Sequence, residues 1–226
     1  EKVVTVSFFR VMAGANPLIM ILIQDVTDFT KKAYQLSLLR EISIAMQGVL
    51  ERDKLLHMIL TCVTAGFAIG FNRAFLFLVD HGRNELRGIM GVGPTSQEEA
   101  YRIWSELSFN ALTFEKYLDN VNRGFMVKGG LQYLVENTAI DLDTAHNLLT
   151  ETIRTAHSIH VENAWGNPLM DDTMKQIVIS REFVVVPLIV KNQVIGVLMA
   201  DNAFSGRAIG QDSIEVLTMF AAQAAI

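Results

Sequence analysis

A mainly antiparallel sheet with helices packed on its faces is the fold that three observations in the sequence predict. Two β-rich runs near the end flank a short polar turn, an earlier pair of runs does the same, and helical periodicities precede, separate and follow them. The order is helix, helix, hairpin, helices, hairpin, helix. That order sets helices on the faces of an antiparallel sheet rather than between parallel strands.

The chain opens with two β-rich runs, Val3 to Met12 and Pro17 to Val26, around the turn signal Ala13-Gly14-Ala15-Asn16. Two strands alone are marginal in water, so this hairpin needs a further sheet or a partner. Phe8 and Ile21 are expected under such a cover, supplied by the body of the chain or by a second chain. Asp25-Val26-Thr27-Asp28 leads into a helix that Asp28 or Thr30 can cap. In it Leu36, Leu39, Met46 and Leu50 recur at heptad-like spacing, and Leu38, Ile42, Ala45 and Val49 form a second stripe. A helix with two apolar stripes must bury both. It is either a core helix or one half of a parallel two-helix seam between two copies of the chain.

A second helix is expected over Asp53 to Phe67, with Leu55, Ile59, Cys62 and Gly66 on one face. Arg73 to Asp80 and Glu85 to Gly91 read as a hairpin around His81-Gly82-Arg83-Asn84. Thr95-Ser96-Gln97-Glu98 is a capping box that opens a helix carrying Ala100, Ile103, Trp104 and Leu107. Phe114, Tyr117, Leu118 and Val121 make a second helical piece, which Gly124 stops, and Gly129-Gly130 is a break. Leu142, Ala145, Leu149, Ile153 and Ala156 make a third helical face, followed by an extended run from Ile159 to Glu162 and the turn Gly166-Asn167-Pro168. Gln176 to Ser180 reads as a strand, Glu182 to Val190 and Val194 to Ala200 as a hairpin, and Gly210 to Ile226 as a final helix.

Composition removes several function classes. Half of the 226 residues are hydrophobic and 19% are charged, enough to build a sizeable core. The net charge is −5, with no basic patch of the kind that holds nucleic acid. The excess negative charge lies between Thr95 and Gln176, which holds twelve acidic and six basic residues. It reads as a solvated helical face or, failing that, a docking surface. Cys62 is the only cysteine, so intrachain disulfides and thiolate zinc clusters are excluded. Apolar runs such as Pro17 to Ile23 are far short of the ~20 residues of a membrane helix. The start has no signal-peptide layout, and the segment reads as cytoplasmic and free of membrane contact, whether or not its parent protein is anchored.

The stretch Phe183-Val184-Val185-Val186-Pro187-Leu188, the turn at Lys191-Asn192, and Val194-Ile195-Gly196-Val197-Leu198-Met199-Ala200-Asp201-Asn202 together resemble a GAF domain. That family's pattern is a strand reading VPL, a tight turn, and IGVL running into an acidic turn. The closing Phe220-Ala221-Ala222-Gln223-Ala224-Ala225-Ile226 is similar to its last helix, and Asn72 to Leu78 fits its first strand. The resemblance implies an α+β fold, a GAF-like central antiparallel sheet with helices on both faces, over residues 51–226. Its helical insertion, about 95–176, is longer than usual and falls where such domains line a ligand pocket. Ile21-Leu22-Ile23-Gln24-Asp25-Val26-Thr27-Asp28 is similar to the end of a PAS domain. Residues 1–28 are then the last hairpin of a truncated PAS-like domain, and 29–50 a connecting helix.

The two resemblances imply a sensory module of a bacterial signal-transduction protein, in which an upstream PAS domain and a downstream output domain belong to the same polypeptide. Ala200-Asp201-Asn202-Ala203-Phe204-Ser205-Gly206-Arg207-Ala208-Ile209 is most similar to GAF domains that precede a histidine-kinase core in two-component systems. The expected state is a homodimer that relays a signal through dimer helices, with Leu36, Leu39, Met46 and Leu50 as seam candidates. The alternative is a receptor for a cyclic nucleotide or other small molecule, in a transcriptional activator or a cyclic-dinucleotide enzyme.

No catalytic set stands out, and the segment is not expected to be an enzyme; any kinase would lie outside it. His157 and His160 lack further ligands for a metal site. Cys62 reads as a small buried hydrophobe. The resemblance also excludes methionine-sulfoxide reduction, which needs several cysteines. Asp201 and Asn202 read as a strand-ending turn that bonds local amides. Gly88, Gly91 and Gly93 match no phosphate loop. Tyr101, Trp104, Phe109 and Trp165 read as aromatic core or as the lining of a cavity under the insertion. The sequence names no cofactor.

Overall fold

The computed structural model describes residues 2–14, 16–47, 52–65, 69–110 and 129–224. It divides into two units, Glu1–Ile44 and Ala45–Ile226.

In the first unit, strands β1 (Val4–Ala13) and β2 (Asn16–Asp25) pair antiparallel, with Phe8 opposite Ile21 and Phe9 opposite Met20. Alternation puts Phe8 and Ile21 on one face and Phe9 and Met20 on the other, so both faces are apolar. Phe8 is 68% and Ile21 55% exposed. Helix α1 spans Thr27–Gln47. Its start is held by Asp25, not by the expected Asp28 or Thr30. The Thr27 amide donates to Asp25 Oδ1 at 3.0 Å, while the Thr30 hydroxyl donates back to the Val26 carbonyl. The Thr27 hydroxyl and amide hold the Asp25 carboxyl below its ordinary range. Of the seam candidates Leu36 is exposed. Leu39 and Met46 lie on α1 with side chains outside the described set, and Leu50 falls outside the described residues.

The second unit is built on a six-stranded antiparallel sheet, ordered β5-β4-β3-β8-β7-β6. Its strands are β3 (Arg73–Asp80), β4 (Glu85–Val92), β5 (Ala139–Asp141), β6 (Ile159–Val161), β7 (Phe183–Val190) and β8 (Gln193–Asp201). The two long hairpins fall where alternation and turn residues predict them. Asn84, Lys191 and Asn192 take φ of 54°, 47° and 68°, the left-handed conformation that such tight turns require.

One face of the sheet carries helices α2 (Arg52–Thr64) and α7 (Gln211–Ala224), which pack on each other as well as on the strands. Leu56, Ile59, Leu60 and Val63 of α2 and Leu217, Phe220 and Ala221 of α7 are buried. Cys62 has no exposed surface. Burial pushes its thiol up to about 12, so at neutral pH it packs as an inert hydrophobe.

His57 on α2 is pushed below its ordinary 6.5 by burial. The unfolded chain therefore takes up this proton first. The resulting stability is complete above the ordinary value and is lost as pH falls through it. His57→Gln should reduce the drop in urea midpoint between about pH 7 and pH 5.5, a drop that an exposed histidine would not cause.

The middle segment departs from expectation in four places. Gly129-Gly130 does not break the chain but starts helix α4 (Gly130–Glu136), whose Leu131 and Val135 are buried. The helix expected from Leu142 runs only over Leu148–Thr155 (α5). Ile140 and Asp141 belong to β5, and Asn147 caps α5 by accepting from the Leu149 and Thr150 amides. The strand expected over Gln176 to Ser180 is instead the end of helix α6 (Asp172–Ile177) and the turn after it, because Asp171 accepts from the Met174 amide and caps a helix there. Helix α3 (Gln97–Asn110) starts one residue later than the predicted capping box, with the Glu99 amide donating to Ser96 Oγ. The helical piece expected over Phe114 to Val121 lies outside the described residues.

Candidate functional site

The helical insertion, where the resemblance implies a ligand pocket, packs on the sheet face opposite α2 and α7. Phe75 and Phe77 of β3, Phe183 and Val185 of β7, and Val197 and Met199 of β8 share this face by strand alternation, and all are fully buried. Leu131 and Val135 of α4, Leu149 of α5 and Met174 of α6 close over them as one apolar cluster.

Helix α4 reaches the sheet through glycines. Gly88 pairs with Phe77 and Gly91 with Phe75, on the packed face. A Cβ on Gly88 would lie 1.9 Å from the Val135 carbonyl oxygen, and one on Gly91 2.9 Å from the Leu131 carbonyl oxygen. The register shifts between them, leaving Ile89 as the extra residue of a β-bulge. Gln132 satisfies the backbone groups that the bulge frees: its Oε1 accepts from the Gly91 amide at 2.9 Å and its Nε2 donates to the Ile89 carbonyl at 3.1 Å. Sequence reasoning missed Gln132 because its partners lie about forty positions upstream.

A polar cluster closes one end of the central strands. Arg73 pairs in register with Asp201 across β3 and β8, and the two side chains are 2% and 0% exposed. Arg73 Nε donates to both Asp201 oxygens at 3.1 Å, and Nη2 makes a further short bond to Oδ2. The guanidinium also lies 4.9 Å from the centre of the Phe75 ring. Asp201 does accept from the Ala203 amide at 3.1 Å, the expected turn role, but its main partner is Arg73, 128 residues away. Asn72 Oδ1 accepts from the Phe204 and Ser205 amides.

The aromatic candidates sit in two places. Tyr101 and Trp104 on α3 stack edge to face with ring centres 6.3 Å apart. Phe109 is on the same helix, with its side chain outside the described set. Trp165 lies on the 3-10 turn after edge strand β6 and is 61% exposed. His157 Nδ1 donates to the Thr155 carbonyl and His160 Nε2 contacts Glu182 Oε1 at 2.8 Å, so the two imidazoles serve separate partners. Among the described residues no three His, Cys, Asp or Glu side chains gather as a metal site, and no helix is long and apolar enough to cross a membrane.

The GAF domain family matches residues 60–226. Among curated proteins no sequence relative matches the chain. The GAF domain of a phosphoenolpyruvate-protein phosphotransferase from Coxiella burnetii superposes with a TM-score of 0.59 at 12% identity, over 85% of this chain and 91% of that one. A methyl-accepting chemotaxis protein gives 0.55 at 17% identity, over 81% and 92%. Free methionine-R-sulfoxide reductase from Neisseria meningitidis, solved with its substrate, gives 0.54 at 16% identity, over 86% and 92%. At these identities the likeness is one of fold. With the family matched over most of its length, the chain belongs to the GAF domain family.

Proposed function

We propose that the chain is a regulatory module of a multidomain bacterial signalling protein of the sensor histidine kinase type, and that it acts as a homodimer. One observation carries this reading. The helix that enters the domain, α2, and the helix that leaves it, α7, pack side by side on one face of the sheet. The two helices through which a signal would enter and leave thus lie side by side, the arrangement that a relay between upstream and downstream domains requires. The opposite face is filled by apolar side chains, which favours transmission over a preformed ligand cavity. The exposed apolar faces of β1 and β2 support the reading of residues 1–28 as the last hairpin of a larger PAS-like sheet, covered by protein outside the described residues.

The module has no catalytic role of its own in this reading. Cys62, the one thiol, is buried and protonated. Free methionine sulfoxide reductase, cyclase and phosphodiesterase assays should all be blank. The receptor alternative draws on the Tyr101–Trp104 pair, which an aromatic or purine ligand could extend. Native mass spectrometry separates the two readings: the relay predicts a dimer without retained ligand, and a stoichiometric small molecule favours the receptor.

The seam is tested by Leu39→Lys. Each leucine at a two-fold helix seam contributes roughly 1.5–3 kcal/mol by area transfer, and a lysine pair replaces that with like-charge repulsion. The variant should sediment as a monomer with an unchanged circular dichroism spectrum. A dimer would place the seam elsewhere, and an unfolded chain would assign the stripe to a core.

A further inference from the structure

We propose that the loop between β8 and α7 is a coupling clasp, with Arg207 as its principal positioning residue, that ties the exit helix to the end of the entry helix. This rests on the relay reading above. Arg207 Nη2 donates to the carbonyls of Ile69 and Gly70, each at 2.9 Å, in the segment that follows α2. That segment is bonded back to α2 itself, since the Phe71 amide donates to the Val63 carbonyl at 3.1 Å. Asn72 grips the same loop from the start of β3, through the Phe204 and Ser205 amides at 2.9 and 2.7 Å. At the loop's far end, Glu182 Oε1 accepts from the Ile209 amide at 3.0 Å, two residues before α7 begins. The loop is also braced within itself, because Asn202 Nδ2 donates to the Arg207 carbonyl at 2.8 Å.

The path from α2 to α7 thus runs from Val63 through Phe71 and the Ile69 and Gly70 carbonyls to Arg207, and from there along the chain to Gln211, while Glu182 holds Ile209 to the start of β7. Because Arg207 spans two carbonyls of one backbone segment, a movement at the end of α2 is handed to the loop as a displacement. A loop that merely closed a β–α connection has no need of an arginine reaching back to the preceding helix's corner. Gly206 at φ +61° supplies the turn that aims residue 207 there, and Gly70 at φ +72° presents the accepting carbonyls.

A double-mutant cycle in the chain of 226 residues reads the coupling, with hydrogen exchange at the first turns of α7 as the signal. Leu56→Ala loosens α2 at a buried position. With the clasp intact it should raise exchange over residues 211–216 by about tenfold. In an Arg207→Ala background the same substitution should change that exchange by less than about twofold, while exchange in β3 stays as in the parent. Glu182→Ala, which releases the other end of the loop, should uncouple in the same way. If α7 responds to Leu56→Ala equally with and without Arg207, the coupling runs through direct packing of α2 on α7 and the clasp is overturned. It is equally overturned if α7 fails to respond in the parent. Sedimentation of the same samples keeps the two readings apart: a monomer that retains the Arg207-dependent response removes the dimer relay and leaves the clasp.

Discussion

Asp201→Ala is expected to remove a large part of the domain's stability at room temperature. The substitution strands the Arg73 guanidinium at 2% exposure with no anion beside it. Breaking a buried pair in this way costs about 3–5 kcal/mol, against a total stability of about 5–15 for a domain. The Phe75 ring under the guanidinium does not replace the carboxylate, because a cation–π contact supplies only about 0.5–2 kcal/mol. The bond from the Ala203 amide is lost as well, which loosens the start of the β8–α7 loop. The double variant Arg73→Met with Asp201→Leu removes both charges and should recover much of the loss. Urea unfolding followed by circular dichroism measures both. If Asp201→Ala lies within about 1 kcal/mol of the parent, the pair is not the buried clamp that its geometry implies.

Gly88→Ala should be nearly as damaging, for a steric reason. The new methyl would sit 1.9 Å from the Val135 carbonyl oxygen and 2.7 Å from its carbon. Those are backbone atoms of a helix, which cannot rotate aside as a side chain can. Helix α4 must lift from β4, exposing Leu131 and Val135 and pulling Gln132 off the bulge at Ile89. Overpacking of this kind costs about 1–3 kcal/mol, and the lost burial of two large apolar side chains adds to it. Thermal melts give the loss, and hydrogen exchange over residues 130–136 shows where it falls. A variant with parental stability and unchanged exchange there would mean that α4 does not bear on β4 as closely as described.

The parts of the fold legible in the sequence are those set by local rules. The two long hairpins follow from alternation joined to turn residues that tolerate positive φ, Asn84 in one and Lys191-Asn192 in the other. The closing helix follows from Leu217, Ala221 and Ala224 on one face. The short elements of the middle segment were misread because tertiary packing decides them. Gly129 and Gly130 carry the signature of a break, yet the helix they begin is set by its close approach to the sheet, which glycine at Gly88 and Gly91 permits. Ile177, Val178 and Ile179 look like a strand, yet Asp171 caps a helix into them whose Met174 and Ile177 are buried. Leu142 and Ala145 fit the periodicity of α5, but Asp141 accepts from the Asp143 and Thr144 amides and turns the chain before the helix begins. The Arg73–Asp201 pair left no local trace at all. Asp201 and Asn202 were readable as a turn, and the partner that dominates Asp201 is visible only once β3 and β8 lie side by side.

The most direct test of the proposed relay is an intermolecular distance across α1. Ser37 lies exposed on α1, and the one native thiol, Cys62, is fully buried, so a spin label on Ser37→Cys goes to a single site per chain. Two parallel helices at a two-fold seam lie about 10 Å apart. The account predicts a single narrow distance of roughly 20–30 Å by electron–electron double resonance, the interaxial spacing extended by two label arms. It also predicts that the signal disappears in Leu39→Lys. A sample at the same concentration that shows no dipolar coupling between chains would contradict the account.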